Sequence, residues 1–126
     1  LKSWGLRGRF KRVDAAKVRL PPGRIGVVAA WAVNELPDAQ RARLLERLVA
    51  AHRGGTVVLI IEPIAKRPIS WWPTWAEGFE QAGGRADTWQ LDLDLPPFLR
   101  ELDRAAGMRH RTVKARSLYL PAAARA

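Results

Sequence analysis

Three loops in this chain carry polar side chains directly after apolar runs: Asp14-Ala15, Asn34-Glu35-Leu36-Pro37-Asp38 and Glu62-Pro63. In open α/β sheets ligands bind beyond the carboxyl ends of the strands, so these are the places where chemistry could sit. One polar group per strand end also arises in a purely structural loop. Glu62 could touch a substrate or simply accept hydrogen bonds from loop amides. Trp71, Trp72 and Trp75 follow the third loop, and an aromatic cluster there could stack on a flat substrate such as a base. At helical spacing the same rings can equally be core. His52 and His110 have no carboxylate at ligand spacing and make no metal site. No serine–histidine–acid pattern and no Gly-x-Ser-x-Gly elbow is present either.

The elements that must position these residues alternate between strands and helices. Gly8 to Asp14, with Phe10 and Val13, reads as a short strand ending at Asp14, and Pro21-Pro22-Gly23 as a turn. Ile25 to Val33 is a continuous apolar run, which suits a strand buried on both faces of a parallel sheet. Asp38 could cap the following helix. In that helix Leu44, Leu45, Leu48 and Val49 share one face, while Arg41, Arg43, Glu46 and Arg47 cover most of the rest. His52 and Arg53 suit the negative end of its dipole, and Gly54-Gly55 end it. Thr56 to Ile61 is β-branched and apolar, a second buried strand closing at Glu62-Pro63. The centre is therefore strand, helix, strand, as in an open α/β sheet.

Trp71, Trp75 and Phe79 are spaced by four, with Pro73 near the helix start and Gly83-Gly84 after its end. Trp89, Leu91, Leu93 and Leu95 alternate with polar residues, the period of a half-buried strand. Pro96-Pro97 precede a short helix expected to turn Phe98, Leu99, Leu102 and Ala106 inward, ended by Gly107. His110 to Leu120 reads as a terminal strand, and Ala122 to Ala126 as a frayed tail.

The chain has 126 residues, 48% of them apolar, enough for one domain with one core. It lacks cysteine, which excludes disulfides and thiolate metal sites and leans toward a cytoplasmic setting. No apolar segment is long enough to span a membrane, and no signal-peptide run follows the basic N-terminus. The formal charge is +10. Arginine dominates it, a bias that a GC-rich genome produces without any partner. From Lys2 to Arg24, Asp14 is the single acid among basic side chains, an edge that could meet phosphates or be a solvated face.

The order Arg12-Val-Asp-Ala15, then Val27-Val-Ala-Ala-Trp-Ala-Val-Asn-Glu-Leu-Pro-Asp38, then Val57-Val-Leu-Ile-Ile-Glu-Pro63 resembles the third, fourth and fifth strands of class I S-adenosylmethionine-dependent methyltransferases. Asn34-Glu-Leu-Pro37 after an apolar strand is similar to bacterial relatives of the ribosome-associated small-subunit methyltransferase family. The resemblance covers nearly the whole chain. It implies an α/β fold with a mainly parallel open sheet of Rossmann-like methyltransferase type and a late antiparallel strand, residues 1–120 forming the C-terminal portion of the domain. It implies that Asp14 accepts a hydrogen bond from the adenine amino group, with Ala15 near the ring; Asp14 could instead cap a turn. Ala30 and Trp31 would line the cofactor. Asn34 would line the acceptor pocket near the methyl group, or serve only as a helix-entry residue. Glu35 would orient a nucleophile or act as base, or cap a helix. Glu62, Trp71 and Trp72 would face the substrate.

The family's first strand with its Gly-x-Gly loop, and the acid ending its second strand, have no counterpart in these residues. The expectation is thus an incomplete cofactor site, whose partner is the N-terminal half of the same domain, with weak or no cofactor binding by these residues alone. The reaction implied is methyl transfer from S-adenosylmethionine to an acceptor, with RNA or the ribosome as the implied substrate. The rival reading is a non-catalytic α/β module that binds RNA or a protein through the basic N-terminal edge.

Overall fold

Short β-branched runs build the sheet, and amphipathic segments between them build its cover. A computed structural model describes residues 4–5, 7–9, 11–21, 23–64 and 69–123. The strands are β1 (Gly26–Ala30), β2 (Val57–Pro63), β3 (Arg85–Asp92) and β4 (Thr112–Leu120). The helices are α1 (Asp38–Arg53), α2 (Trp72–Gln81) and α3 (Pro97–Ala105). The strands form one open sheet in the order β1-β2-β4-β3. β1 and β2 pair in parallel through the α1 crossover, whereas both pairings of β4 are antiparallel. The architecture is α/β and the sheet is mixed. Two antiparallel pairings in series leave β3 running with β1 and β2, and β4 alone reversed.

α1 and α2 lie side by side on one face of the sheet. Val58 and Ile60 of β2 and Leu118 and Leu120 of β4 point into that layer and are buried against Leu44 and Leu48 of α1 and Trp75 and Phe79 of α2. The Trp75 and Phe79 rings stack at 6.2 Å between centroids. At the junction of α2 and β3, Gly83 adopts φ +85, and the Gly84 N–H donates to Phe79 O at 2.8 Å. Gly83 takes a left-handed backbone that side chains rarely adopt, and at Gly84 a Cβ would run into the Tyr119 carbonyl, so the pair turns the chain tightly back onto the sheet. The opposite sheet face carries no helix among the described residues. Val28 of β1, expected to be buried on both sides, is 67% exposed there.

Several sequence expectations are corrected. The apolar run from Ile25 is a strand only to Ala30, because the chain then reverses at Trp31. Among the described residues, Gly8 to Asp14 form no strand, and Phe10 lies outside them. Among the described residues that segment has no neighbouring strand to take its backbone hydrogen bonds, and a strand does not form without one. Ala15–Lys17 instead form one 3-10 turn packed against α1. Asp38 does not cap α1: Pro37 holds that place with no side-chain bond, and the Asp38 carboxylate accepts from Arg41 at 2.6 Å. Arg41 is buried rather than spread over the surface.

β3 begins earlier than its alternating apolar residues, so Leu93 and Leu95 fall after it. The helix after Pro96-Pro97 forms, yet Phe98, Leu99 and Leu102 are exposed, with Phe98 68% accessible. Periodicity gives α3 an apolar face, but no element among the described residues covers it. Of the tail, Ala122 and Ala123 are half-buried, and Ala124 to Ala126 lie outside the described residues.

Candidate functional site

The parallel pair places the carboxyl ends of β1 and β2 side by side, with Ala30 opposite Ile61. Trp31 N–H extends the ladder to Ile61 O at 2.9 Å, and then the chain reverses. Trp31 has φ +52 and is the one non-glycine with positive φ among the described residues. A bulky side chain in this region costs about 1–2 kcal/mol, so the surrounding contacts must hold it there. Its indole is 58% exposed. A strained aromatic at a strand end is the kind of feature that clusters at binding sites.

What holds the reversal is Glu62. Alternation along β2 turns Glu62 toward the helical layer with Val58 and Ile60, and it is fully buried. Its Oε1 accepts from the Val33 N–H at 2.9 Å and from the Asn34 N–H at 3.4 Å. Glu62 therefore bonds loop amides, one of the two roles open to it, and positions Asn34 through the backbone. Its Oε2 is buried with no hydrogen-bond partner among the described residues.

Asn34 lies in the turn that leads to α1, where Leu36 N–H donates to Val33 O at 3.1 Å. Its side chain is exposed, and its Oδ1 accepts from Trp71 Nε1 at 3.3 Å. That bond uses the carbonyl and leaves the amide NH2 donors at the surface. Glu35 is exposed beside it.

The three tryptophans divide. Trp75 is core, and Trp71 is buried between Trp72 at 5.6 Å, Trp75 at 5.2 Å and the Arg41 guanidinium at 5.4 Å. No face of Trp71 is free for stacking a substrate. Trp72 is half-buried, and the Arg116 guanidinium covers one side of its ring at 4.2 Å from the centroid. Arg116 is the cross-strand partner of Glu62. Burial pushes the guanidinium below its ordinary pKa, and the Glu62 charge pulls it back up. Sequence reasoning missed Arg116. Its signal is only the antiparallel register that sets it opposite Glu62, which no local pattern reveals.

The structure thus brings Ala30, Trp31, Asn34, Glu35, Glu62, Trp71 and Trp72 to one end of the sheet. Asp14 and Ala15 are placed differently. They open the 3-10 turn beside α1, where Asp14 pairs with Lys17 at 3.8 Å and lines a shallow cleft with Lys11 and Arg19. Among the described residues no group of three His, Cys, Asp or Glu side chains could hold a metal ion. No helix among them is long and apolar enough to cross a membrane. No family model and no curated protein matches the chain.

Proposed function

We propose that this chain is the acceptor-side portion of a class I S-adenosylmethionine-dependent methyltransferase, and that the carboxyl ends of β1 and β2 are where methyl transfer takes place. The observation that carries the reading is the buried Glu62 clamp on the Val33-Asn34 backbone, beside the strained and exposed Trp31. A loop held this firmly, with an outward amide at its tip, is suited to position a reacting group. The sheet order supports the reading, because one reversed strand between β2 and β3 agrees with the late antiparallel strand that the resemblance implies. The open sheet face at Val28 supports it too, since a further layer of the same domain would bury that apolar surface.

An adenosine-bearing ligand would approach at the end of β1. Ala29, Ala30 and Ala32 leave room for close approach, and Trp31 offers a flat apolar surface. S-adenosylmethionine, when bound, supplies a methyl group on a sulfonium that leaves as a neutral thioether. The protein's own work is then positioning and exclusion of water. Asn34 would orient the acceptor through its NH2 donors, Glu62 would hold Asn34 in register, and Glu35 would take the proton that the nucleophile releases. Trp72, braced by Arg116, would wall the acceptor side. The acceptor class that the basic charge favours is RNA.

Asn34→Ala tests this directly. The change removes one orienting side chain and leaves the Glu62–backbone bonds in place. One lost hydrogen bond at the reacting group is worth up to about 1.5 kcal/mol, so methyl transfer from labelled cofactor to total RNA by the protein in its full natural form should slow about tenfold. The Trp71 Nε1–H loses its acceptor in the same variant, so stability should fall by about 1 kcal/mol without loss of the fold. A rate equal to the parent's would remove Asn34 from the site.

A further inference from the structure

A second concave surface lies at the same end of the sheet, between α3 and the segment leading into β4. Arg100, Arg104, Arg109 and Arg111 line it together with Asp103 and His110, and it encloses about 460 Å³. The single carboxylate in this lining is already engaged. Asp103 Oδ2 accepts from the His110 N–H at 2.9 Å, and its Oδ1 meets His110 Nδ1. That hydrogen bonding holds the Asp103 carboxyl below its ordinary value. Arg100 is occupied too, donating to Asp94 Oδ1 at 3.2 Å and to Leu95 O at 2.9 Å. Arg104, Arg109 and Arg111 have no carboxylate partner among the described residues. Three unpaired guanidiniums converge on one cleft.

The rest of the lining is apolar, from Leu93, Leu95 and Met108. We propose that this cleft binds the backbone and bases of a single-stranded nucleic acid. Arginine forks match phosphate oxygens, and the faces of unpaired bases can lie on the apolar side chains of Leu93, Leu95 and Met108. A duplex would satisfy the guanidiniums but hide its bases, leaving the apolar lining in water. The inference concerns binding alone and stands on this cleft whether or not the Asn34 end transfers methyl groups. Register still links the two places. Thr112, at the cleft's edge, precedes Arg116 by four residues of β4, roughly 14 Å of extended strand. A strand seated in the cleft would therefore pass within a few nucleotides of Asn34.

The test is fluorescence anisotropy of a labelled single-stranded oligouridylate with the full chain, without cofactor, over a series of salt concentrations. The variant Arg104→Gln/Arg109→Gln/Arg111→Gln should bind at least tenfold more weakly at low salt. The plot of log affinity against log salt should become shallower by about 2, because each phosphate contact on a single strand contributes about 0.7 to the slope. Arg104→Gln alone should produce about a third of that change, which guards against a folding defect in the triple variant. Lys11→Gln/Lys17→Gln/Arg19→Gln, at the N-terminal cleft, should keep the parent's slope. The proposal is overturned if the arginine variants bind as the parent does, or if the N-terminal variant is the one that loses binding. It also fails if duplex RNA competes as well as the single strand, or if the protein partitions onto phosphatidylserine vesicles while ignoring the oligonucleotide.

Discussion

Gly84→Ala should cost this protein at least about 3 kcal/mol of stability, the upper end of what overpacking a core usually does. A Cβ at this position would sit 2.3 Å from Tyr119 O, 2.9 Å from Phe79 O and 2.8 Å from Leu120 Cδ2. Two of these neighbours are backbone atoms, one on β4 and one on α2, so no rotamer change relieves the contact. The helix and the sheet would have to separate at the point where Phe79 and Leu120 are packed. Natural domains are stable by only about 5–15 kcal/mol, so the loss is a large fraction of the whole. Gly26→Ala is the matched control, because a Cβ there meets nothing within 4 Å and its φ is ordinary. It should change stability by no more than about 0.5 kcal/mol. Urea unfolding followed by tryptophan fluorescence reads both. Equal midpoints for the two variants would mean that the α2–β4 junction is looser than described.

Glu62→Ala should be the next most damaging change, at about 2–3 kcal/mol. Its carboxylate serves the Val33 N–H, which lies against a fully buried side chain, and the Asn34 N–H. A buried donor left without an acceptor costs about 1–3 kcal/mol, and a hydrogen bond to a charged group is worth about 1.5–3 kcal/mol. Removal of Glu62 also strips Arg116 of the opposite charge that offsets its burial. One effect works the other way. Taking out a buried carboxylate with an unbonded Oε2 recovers part of its desolvation. The unsatisfied amide wins, because alanine offers no replacement acceptor and water reaches the site poorly. Glu62→Gln keeps the Oε1 acceptor and should lose less than about 1 kcal/mol. The gap between the two variants separates acceptor geometry from charge. If Glu62→Gln is as damaging as Glu62→Ala, charge rather than loop bracing is what the residue provides.

The parts of this fold legible in the sequence were those with local causes. α1 is announced by Leu44 and Leu48 one turn apart and by Gly54-Gly55 behind it. α2 is announced by Trp71, Trp75 and Phe79, and β2 by an unbroken β-branched run. What escaped depends on partners distant in sequence. Gly8 to Asp14 has strand-like residues, but a strand exists only beside another. Phe98, Leu99 and Leu102 define an apolar face whose periodicity is silent on whether anything covers it. At the site, Asn34 and Glu62 were visible as polar groups at strand ends. The bond between Glu62 and the Asn34 backbone was not visible, because it needs the parallel register of β1 on β2. Arg116 needs the register of β4 as well. Trp71 shows the same limit from the other side, since its position suggested a stacking platform that Arg41 and two neighbouring rings already occupy.

The central claim is that cofactor and acceptor meet at the carboxyl end of β1. Ultraviolet photolabelling of the protein in its full natural form with S-adenosylmethionine tritiated on its methyl group tests it most directly. The label should map to the peptide between Gly26 and Arg41, which carries Trp31 and Asn34, and excess S-adenosylhomocysteine should suppress it. Label confined to α3 or to the Lys11–Arg19 segment, or no label that the competitor displaces, would contradict the claim.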